Sequence, residues 1–280
     1  MVPAHLPPPG GRTRLAPTPS GFLHAGNAIN FLITHRLARA TGARLRLRID
    51  DLDAERVRPA YVEDVFQSLH WLGISWEDGP TSPEAHAAQF SQHLRSPRYH
   101  ALIARLRAAG HLYACTCSRS RLAQAGCDCR KAGHPFDAPD TAWRLHVPAG
   151  TTITVPVSGG APVAVDLVEA MGDPVLRQRN GRPAYQIASL ADDLDHGTTF
   201  IVRGADLLPS TACQLYLAEL LGEAAFGRVR FLHHALELGP DGGKLAKSAG
   251  STSLQSMREA GQGPEALWER AETMLRSLTS

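Results

Sequence analysis

Between residues 13 and 49 the hydrophobic periodicity of this sequence changes twice, which leaves few folds open. Thr13-Arg14-Leu15-Ala16 reads as a short strand, ended by the turn-forming run Pro17-Thr18-Pro19-Ser20-Gly21. Ile29, Leu32, Ile33, Leu37 and Ala40 then recur at helical spacing, and Gly42 supplies a C-terminal stop. From Arg44 to Ile49 polar and apolar side chains alternate as in a strand, with Asp50, Asp51 and Asp53 just beyond it. Strand, glycine-containing turn, helix and strand make a βαβ unit, the building block of α/β folds that hold ligands at a sheet edge.

Farther along, Tyr61 to Leu72 carries Val65, Leu69 and Leu72 on one helical face. From about Thr81 the pattern becomes polar and rich in His and Pro. A helix near Ser96 to Ala109, a cluster of cysteines and β-like segments such as Thr151 to Val157 follow, and together they read as an insertion. Tyr185 to Leu190 and Thr199 to Val202 read as core strands resuming, and Thr211 to Leu221 as a further helix. No segment repeats internally, and only the N-terminal stretch, with Pro3, Pro7, Pro8 and Pro9, is compositionally biased.

Charge narrows the functional classes. The 29 Lys and Arg residues nearly balance 27 Asp and Glu, so the +2 net charge creates no global field for nucleic acid and any RNA contact is local. No apolar run reaches bilayer-spanning length, and the start lacks a secretory pattern, so the expectation is a cytoplasmic protein without a membrane partner.

Two segments suit phosphate chemistry. Phe22-Leu23-His24-Ala25-Gly26-Asn27 lies where a strand gives way to a helix, whose N-terminal N–H groups attract anions. His24 there is a donor for a charged phosphoryl oxygen, and Gly26 admits a base or ribose without a Cβ in the way. A plain helix cap fits His24 as well. Far downstream, Lys244-Leu245-Ala246-Lys247-Ser248 follows the turn Gly239-Pro240-Asp241-Gly242-Gly243, giving two ammonium heads that suit pyrophosphate or form an exposed basic loop.

Taken together these blocks resemble the glutamyl-tRNA synthetases of class I. Arg14 to Asn27 looks like the opening of that family, including a relaxed HIGH signature, and the segment around Lys247 resembles its KMSKS signature. Arg48-Ile49-Asp50-Asp51-Leu52-Asp53, Tyr185 with Asp192-Asp193, and Arg203-Gly204-Ala205-Asp206-Leu207 match further blocks in the family's order, so the similarity spans about Arg12 to Ser248. The resemblance implies a Rossmann-type catalytic domain that activates glutamate with MgATP. His24, Lys244 and Lys247 would act on the phosphates, and Gly26 and Asn27 would contact ATP.

An acidic amino acid needs a cation for its side chain and an anion for its α-ammonium. By the resemblance Arg14 grips the γ-carboxylate with help from Arg203, Asp50 receives the amino group, and Ala16, Thr18, Tyr185 and Ser189 line the pocket. The glutamyl enzymes usually carry Glu where this chain has Asp50, and often Asn at Ser189. Asp at that position also resembles the glutaminyl enzymes, but a neutral amide would leave Arg14 without a charge partner.

Cys115, Cys117, Cys127 and Cys129 form a C-x-C-x9-C-x-C array suited to a structural tetrathiolate zinc site, with unpaired thiols as the other reading. Cys213, on an apolar helix, reads as core. Arg119, Arg121, Arg130 and Lys131 surround the array, as solvated charge or as an RNA-backbone contact. The related enzymes carry a zinc-bearing insertion that touches tRNA, with a ligand set that differs in its second pair.

The expected organisation is thus a tail over residues 1–11, a Rossmann core over 12–83 and 184–248, an inserted α+β zinc-bearing, RNA-contacting subdomain over 84–183, and a helical segment over 249–280. The sequence stops shortly after Lys247, so an anticodon-binding domain is not expected. In this it resembles the glutamyl-queuosine tRNA(Asp) synthetases, which implies a monomer using ATP, glutamate and a tRNA(Asp) bearing queuosine. Transfer of glutamate or glutamine to a tRNA 3′ end, a non-tRNA acceptor, and a non-catalytic tRNA- or nucleotide-binding paralogue are the competing readings. Ala246, where the signature usually has Ser, and Asn27, where strict HIGH has His, fit the last of these, whereas His24, Gly26, Lys244 and Lys247 fit catalysis.

Overall fold

A computed structural model describes residues 8–118, 120–122, 126–236 and 253–279. The first βαβ unit forms as its periodicity dictates. Strand β1 (Arg12–Leu15) leads through the proline-containing turn into helix α1 (Ala25–Thr41), and β2 (Arg44–Leu47) returns parallel to β1 with Arg14 opposite Arg46. Gly42 ends α1 in the left-handed conformation (φ 65°), which glycine adopts without a Cβ penalty. Helix α2 (Pro59–Trp71) starts with proline in its first turn, where a missing N–H costs nothing.

Short helical turns spanning 83–95 precede α3 (Ser96–Ala108), followed by β3 (Leu112–Cys115) and β4 (Ala142–Leu145). Strands β5 (Thr152–Val155) and β6 (Val163–Asp166) form an antiparallel hairpin, and β7 (Val175–Arg177) completes an antiparallel sheet of order β3-β4-β7. Helix α4 (Tyr185–Asp195), strand β8 (Phe200–Gly204), helix α5 (Leu208–Leu220) and strand β9 (Arg230–His234) return the chain to the parallel layer. There β8 pairs in parallel with β9. The Thr199 N–H donates to the Arg12 carbonyl at 2.9 Å, joining this pair to β1 and β2. Helices α6 (Leu254–Glu259) and α7 (Glu265–Thr279) close the described chain, α7 packing on α1.

Alternation along the strands sorts the core into two layers. Phe200, Val202 and Leu232 face one side with the buried residues of α1, α2 and α7, whereas Ile201 and Phe231 face the other with α3, α4 and α5. Helices cover both faces of the parallel layer, so β8 and β9 bury apolar side chains on each side, whereas Arg14, Arg46 and Arg203 keep charge within the strands.

One element differs from expectation: residues 185–190 are helical, the first turns of α4. Ile187, Leu190 and Ala191 are buried at helical spacing, and Asp192 and Asp193 lie buried on the same helix. The β-forming Tyr185 and Ile187 suggested a strand, but tertiary packing on α5 outweighs local preference. Among the described residues no helix is long and apolar enough to cross a membrane.

Candidate active site and cysteine cluster

At the C-terminal edge of β1 and β8 a cavity of about 400 Å³ opens. Arg14, Ala16, Thr18, His24, Gly26, Asn27, Tyr185 and Arg203 all line it, so eight of the expected site residues converge from four separate stretches of chain. Asp50 and Ser189 are buried in the wall and do not line the cavity, while Lys244 and Lys247 lie outside the described residues. Asn30 and His234, which the sequence reading did not single out, complete one side, with Asn30 Nδ2 3.0 Å from His234 Nε2.

His24 is the N-cap of α1, and its N–H donates to Asn27 Oδ1 at 3.1 Å. No acidic residue sits in the first turn of α1, whose N-terminus opens on the cavity. A Cβ on Gly26 would stand 3.1 Å from the His24 ring, so any side chain there would displace the imidazole. The cap thus places the N-terminus of α1, an end that favours anions, at the cavity.

Beneath the cavity a buried charge network fixes the two arginines. Arg14 Nε donates to Asp193 Oδ1 at 3.0 Å, Arg48 Nη1 donates to the same oxygen at 2.9 Å, and Arg203 Nη2 lies 3.7 Å from Asp193 Oδ2. Arg203 Nη1 donates to Gln214 Oε1 at 2.7 Å and to Thr211 Oγ1 at 3.1 Å, which aims the guanidinium from α5. Its Nε and Nη2 are buried without a hydrogen-bond partner. Arg48 also holds Asp50 by two bonds, of 2.6 and 3.1 Å, and reaches Ser189 Oγ at 3.2 Å. Gln92 then bridges Asp50 to Asp192, itself held by Arg95 and by the Tyr99 hydroxyl.

The network sets ionisation by position. Burial opposes the charge on Asp193, yet Arg14, Arg48 and Arg203 outweigh it and hold its carboxyl below the ordinary value. Burial pushes the Asp50 carboxyl up despite Arg48, and lowers the Arg14 guanidinium despite Asp193. Arg48 and Asp193 lay inside sequence blocks already singled out, but only the fold gives them partners: 145 residues separate the two.

The cysteines form a separate centre beside β3. Cys115, Cys117, Cys127 and Cys129 Sγ atoms all lie within 4.8 Å of one another, with separations of 3.6 Å (Cys115 to Cys127), 3.8 Å (Cys117 to Cys127) and 3.4 Å (Cys117 to Cys129). Zinc–thiolate bonds of about 2.3 Å give a tetrahedron with edges of about 3.8 Å, so the donor set and its size both fit zinc. Tyr113 donates to Asp173 Oδ2 at 2.8 Å and stands 3.9 Å from Cys127 Sγ, bracing the cluster against the sheet.

Comparison with known proteins places this geometry in a family. Residues 11–148 match the class I tRNA synthetase (E and Q) catalytic domain. The glutamyl-Q tRNA(Asp) synthetase of Ectopseudomonas mendocina is 41% identical over 265 residues, covering 90% of this chain and 85% of the relative. That of Symbiobacterium thermophilum is 38% identical over 274 residues, with 90% and 82% covered. The chain belongs to the glutamyl-Q tRNA(Asp) synthetase family. It is a class I synthetase-like ligase. A glutamate tRNA ligase from Elizabethkingia meningosepticum, solved in complex with its amino acid, shares the fold at a TM-score of 0.73 and 24% identity, and this chain covers 60% of its length.

Proposed function

We propose that this chain joins glutamate to AMP at the expense of ATP and transfers the glutamyl group to the queuosine base of a tRNA(Asp). The observation that carries the reading is that two guanidinium groups, Arg14 and Arg203, line one cavity while sharing the single carboxylate of Asp193 with Arg48. A carboxylate side chain entering the cavity supplies the negative charge that these guanidinium groups lack, whereas a neutral amide offers an acceptor oxygen but no charge. Ala16, Thr18 and Tyr185 shape that end of the pocket. Asp50 is assigned the α-ammonium: its Oδ2 accepts one hydrogen bond, from Arg48, and keeps a lone pair. Ser189 steadies Arg48 from beneath.

In the first step a glutamate α-carboxylate oxygen attacks the α-phosphorus of MgATP, the bond to the bridging oxygen breaks, and pyrophosphate leaves with the electron pair. His24 and the N-terminus of α1 stabilise the charge, with Gly26 and Asn27 against the nucleotide and Lys244 and Lys247 on the departing phosphates. In the second step a queuosine hydroxyl attacks the acyl carbon and AMP leaves, its phosphate taking the hydroxyl proton. The residues supply position and electrostatics, not covalent chemistry.

The four cysteines are assigned a structural zinc, which ties β3 to the 127–132 turn within an inserted subdomain over residues 84–183. The basic residues beside it, including Arg130 and Lys131, are the assigned RNA contact. A cytoplasmic monomer is part of the same proposal, in keeping with a tRNA substrate. Pyrophosphate exchange measured with glutamate, glutamine and aspartate, with and without tRNA, tests the reading. Glutamate is expected to support exchange at least about a hundredfold better than glutamine, the cost of leaving a buried charge unpaired. Equal rates with glutamine, or no exchange with any of the three, contradict it.

A further inference from the structure

The segment that presents His24 is held from behind by a buried ion pair outside the cavity. Asp64, on α2 and 2% exposed, accepts the Leu23 N–H on Oδ2 at 2.9 Å. Its other oxygen accepts from Arg258 Nη2 at 2.8 Å and from Ser68 Oγ at 3.2 Å. Arg258, on α6, also donates from Nη1 to Ser68 Oγ at 2.6 Å and from Nη2 to Gln67 Oε1 at 3.2 Å, so its described side-chain hydrogen bonds all go to α2. The same α6 begins by donating the Leu254 N–H to the Leu23 carbonyl at 2.8 Å, beside an antiparallel bridge between His24 and Ser253. Both backbone polar groups of Leu23, the residue before His24, are therefore clamped, one by Asp64 and the other by α6.

This pattern exceeds what packing requires. Leu23 is itself buried and its side chain belongs to the apolar core, so its depth is set without Asp64. What the carboxylate adds is direction: a charge-assisted bond at Leu23 N–H fixes the peptide that enters the N-cap, and hence where the His24 ring sits relative to Gly26. Arg258 keeps Asp64 oriented. Without it Asp64 loses its only described ion-pair partner and can turn away from the Leu23 N–H, which weakens that bond.

We propose that Arg258 and Asp64 are positioning residues for His24, setting the nucleotide half of the reaction and leaving the amino-acid half untouched. The inference rests on the proposed role of His24 in ATP activation. It separates two sets of groups: Arg14 and Arg203 depend on Asp193, whereas His24 depends on Asp64.

The test compares the full-length wild type with Arg258→Ala, Arg258→Lys and Asp64→Asn in glutamate-dependent pyrophosphate exchange, with thermal melting measured alongside. Arg258→Ala is expected to lower kcat/KM for ATP roughly tenfold, the scale of a small misplacement of a catalytic group, with KM for glutamate unchanged. Arg258→Lys, which keeps a cation near Asp64, is expected to recover most of that loss, and Asp64→Asn to behave like Arg258→Ala. A lower melting temperature with unchanged ATP kinetics overturns the proposal, as does an equal rise of KM for both substrates. If Arg258→Ala does not fold, Asp64→Asn decides alone: ATP kinetics identical to wild type at a lowered melting temperature refute the positioning role, and a selective fall in kcat/KM for ATP supports it. Lack of exchange by the wild type refutes the catalytic reading on which the inference depends, an outcome distinct from any difference between variants.

Discussion

The cavity and the cysteine cluster are built on opposite plans. The cluster draws four identical donors from 15 residues of chain, so spacing alone assembles it. The cavity draws unlike groups from β1, the start of α1, α4 and β8, and only the parallel sheet brings them together. A local centre of one residue type stands or falls with its metal. A dispersed centre stands or falls with buried charges that compensate one another over long sequence distances.

Removing a charge from the dispersed centre therefore gives the largest effects. Arg203→Ala is expected to lower kcat/KM for glutamate in pyrophosphate exchange by roughly a thousandfold, because a carboxylate in the pocket loses a desolvated partner. Zinc content, measured on the same sample, should not change; a joint loss would erase the distinction between the two regions.

Asp193→Asn attacks the same network from its anionic side. It leaves Arg14, Arg48 and Arg203 facing one another without their shared carboxylate, and the urea midpoint is expected to fall by the equivalent of about 3–5 kcal/mol. An unchanged midpoint would mean that Asp193 does not hold the arginines together.

Breaking the local centre should do less to activation. Cys117→Ser is expected to abolish stoichiometric zinc binding and make the 112–146 region protease-sensitive, while glutamate activation changes by no more than about threefold. Transfer to tRNA should suffer more than activation. Equal losses in both steps would show that the cluster supports the cavity directly.

The smallest effect concerns acid. Burial, with Arg203 nearby, pulls the His233 imidazole down to about 4, and burial, with Arg46, does the same to His196. Both are neutral when folded, whereas the unfolded chain takes up their protons near pH 6.5. Stability is therefore fully present above about 6.5 and declines as pH falls toward 4, by on the order of 1 kcal/mol per histidine after allowing for solvent screening. His233→Gln should flatten that acid limb in urea titrations between pH 4 and 7; an unchanged slope would exclude the histidine.

The contrast also explains what could be read from sequence. Periodicity and a glycine stop were enough for β1, α1 and β2, because each signal is local. The cysteine array was legible for the same reason. Residues 185–190 were misread as a strand, since Tyr185 and Ile187 favour β structure and the face that buries Asp192 and Asp193 shows only once α4 packs. Arg14 and Arg203 were recognised through their motifs, but the roles of Arg48, Asp193, Thr211 and Gln214 in orienting them have no local signature. The Lys244 and Lys247 segment lies outside the described residues and stays an expectation of the sequence.

The central claim, glutamyl transfer to a modified base, is tested most directly by labelled glutamate and tRNA(Asp) in two altered forms. One carries queuosine but lacks its 3′-terminal adenosine; the other is complete but carries unmodified guanine. Labelling of the first and not of the second is the predicted result, and labelling that requires the terminal adenosine contradicts the account.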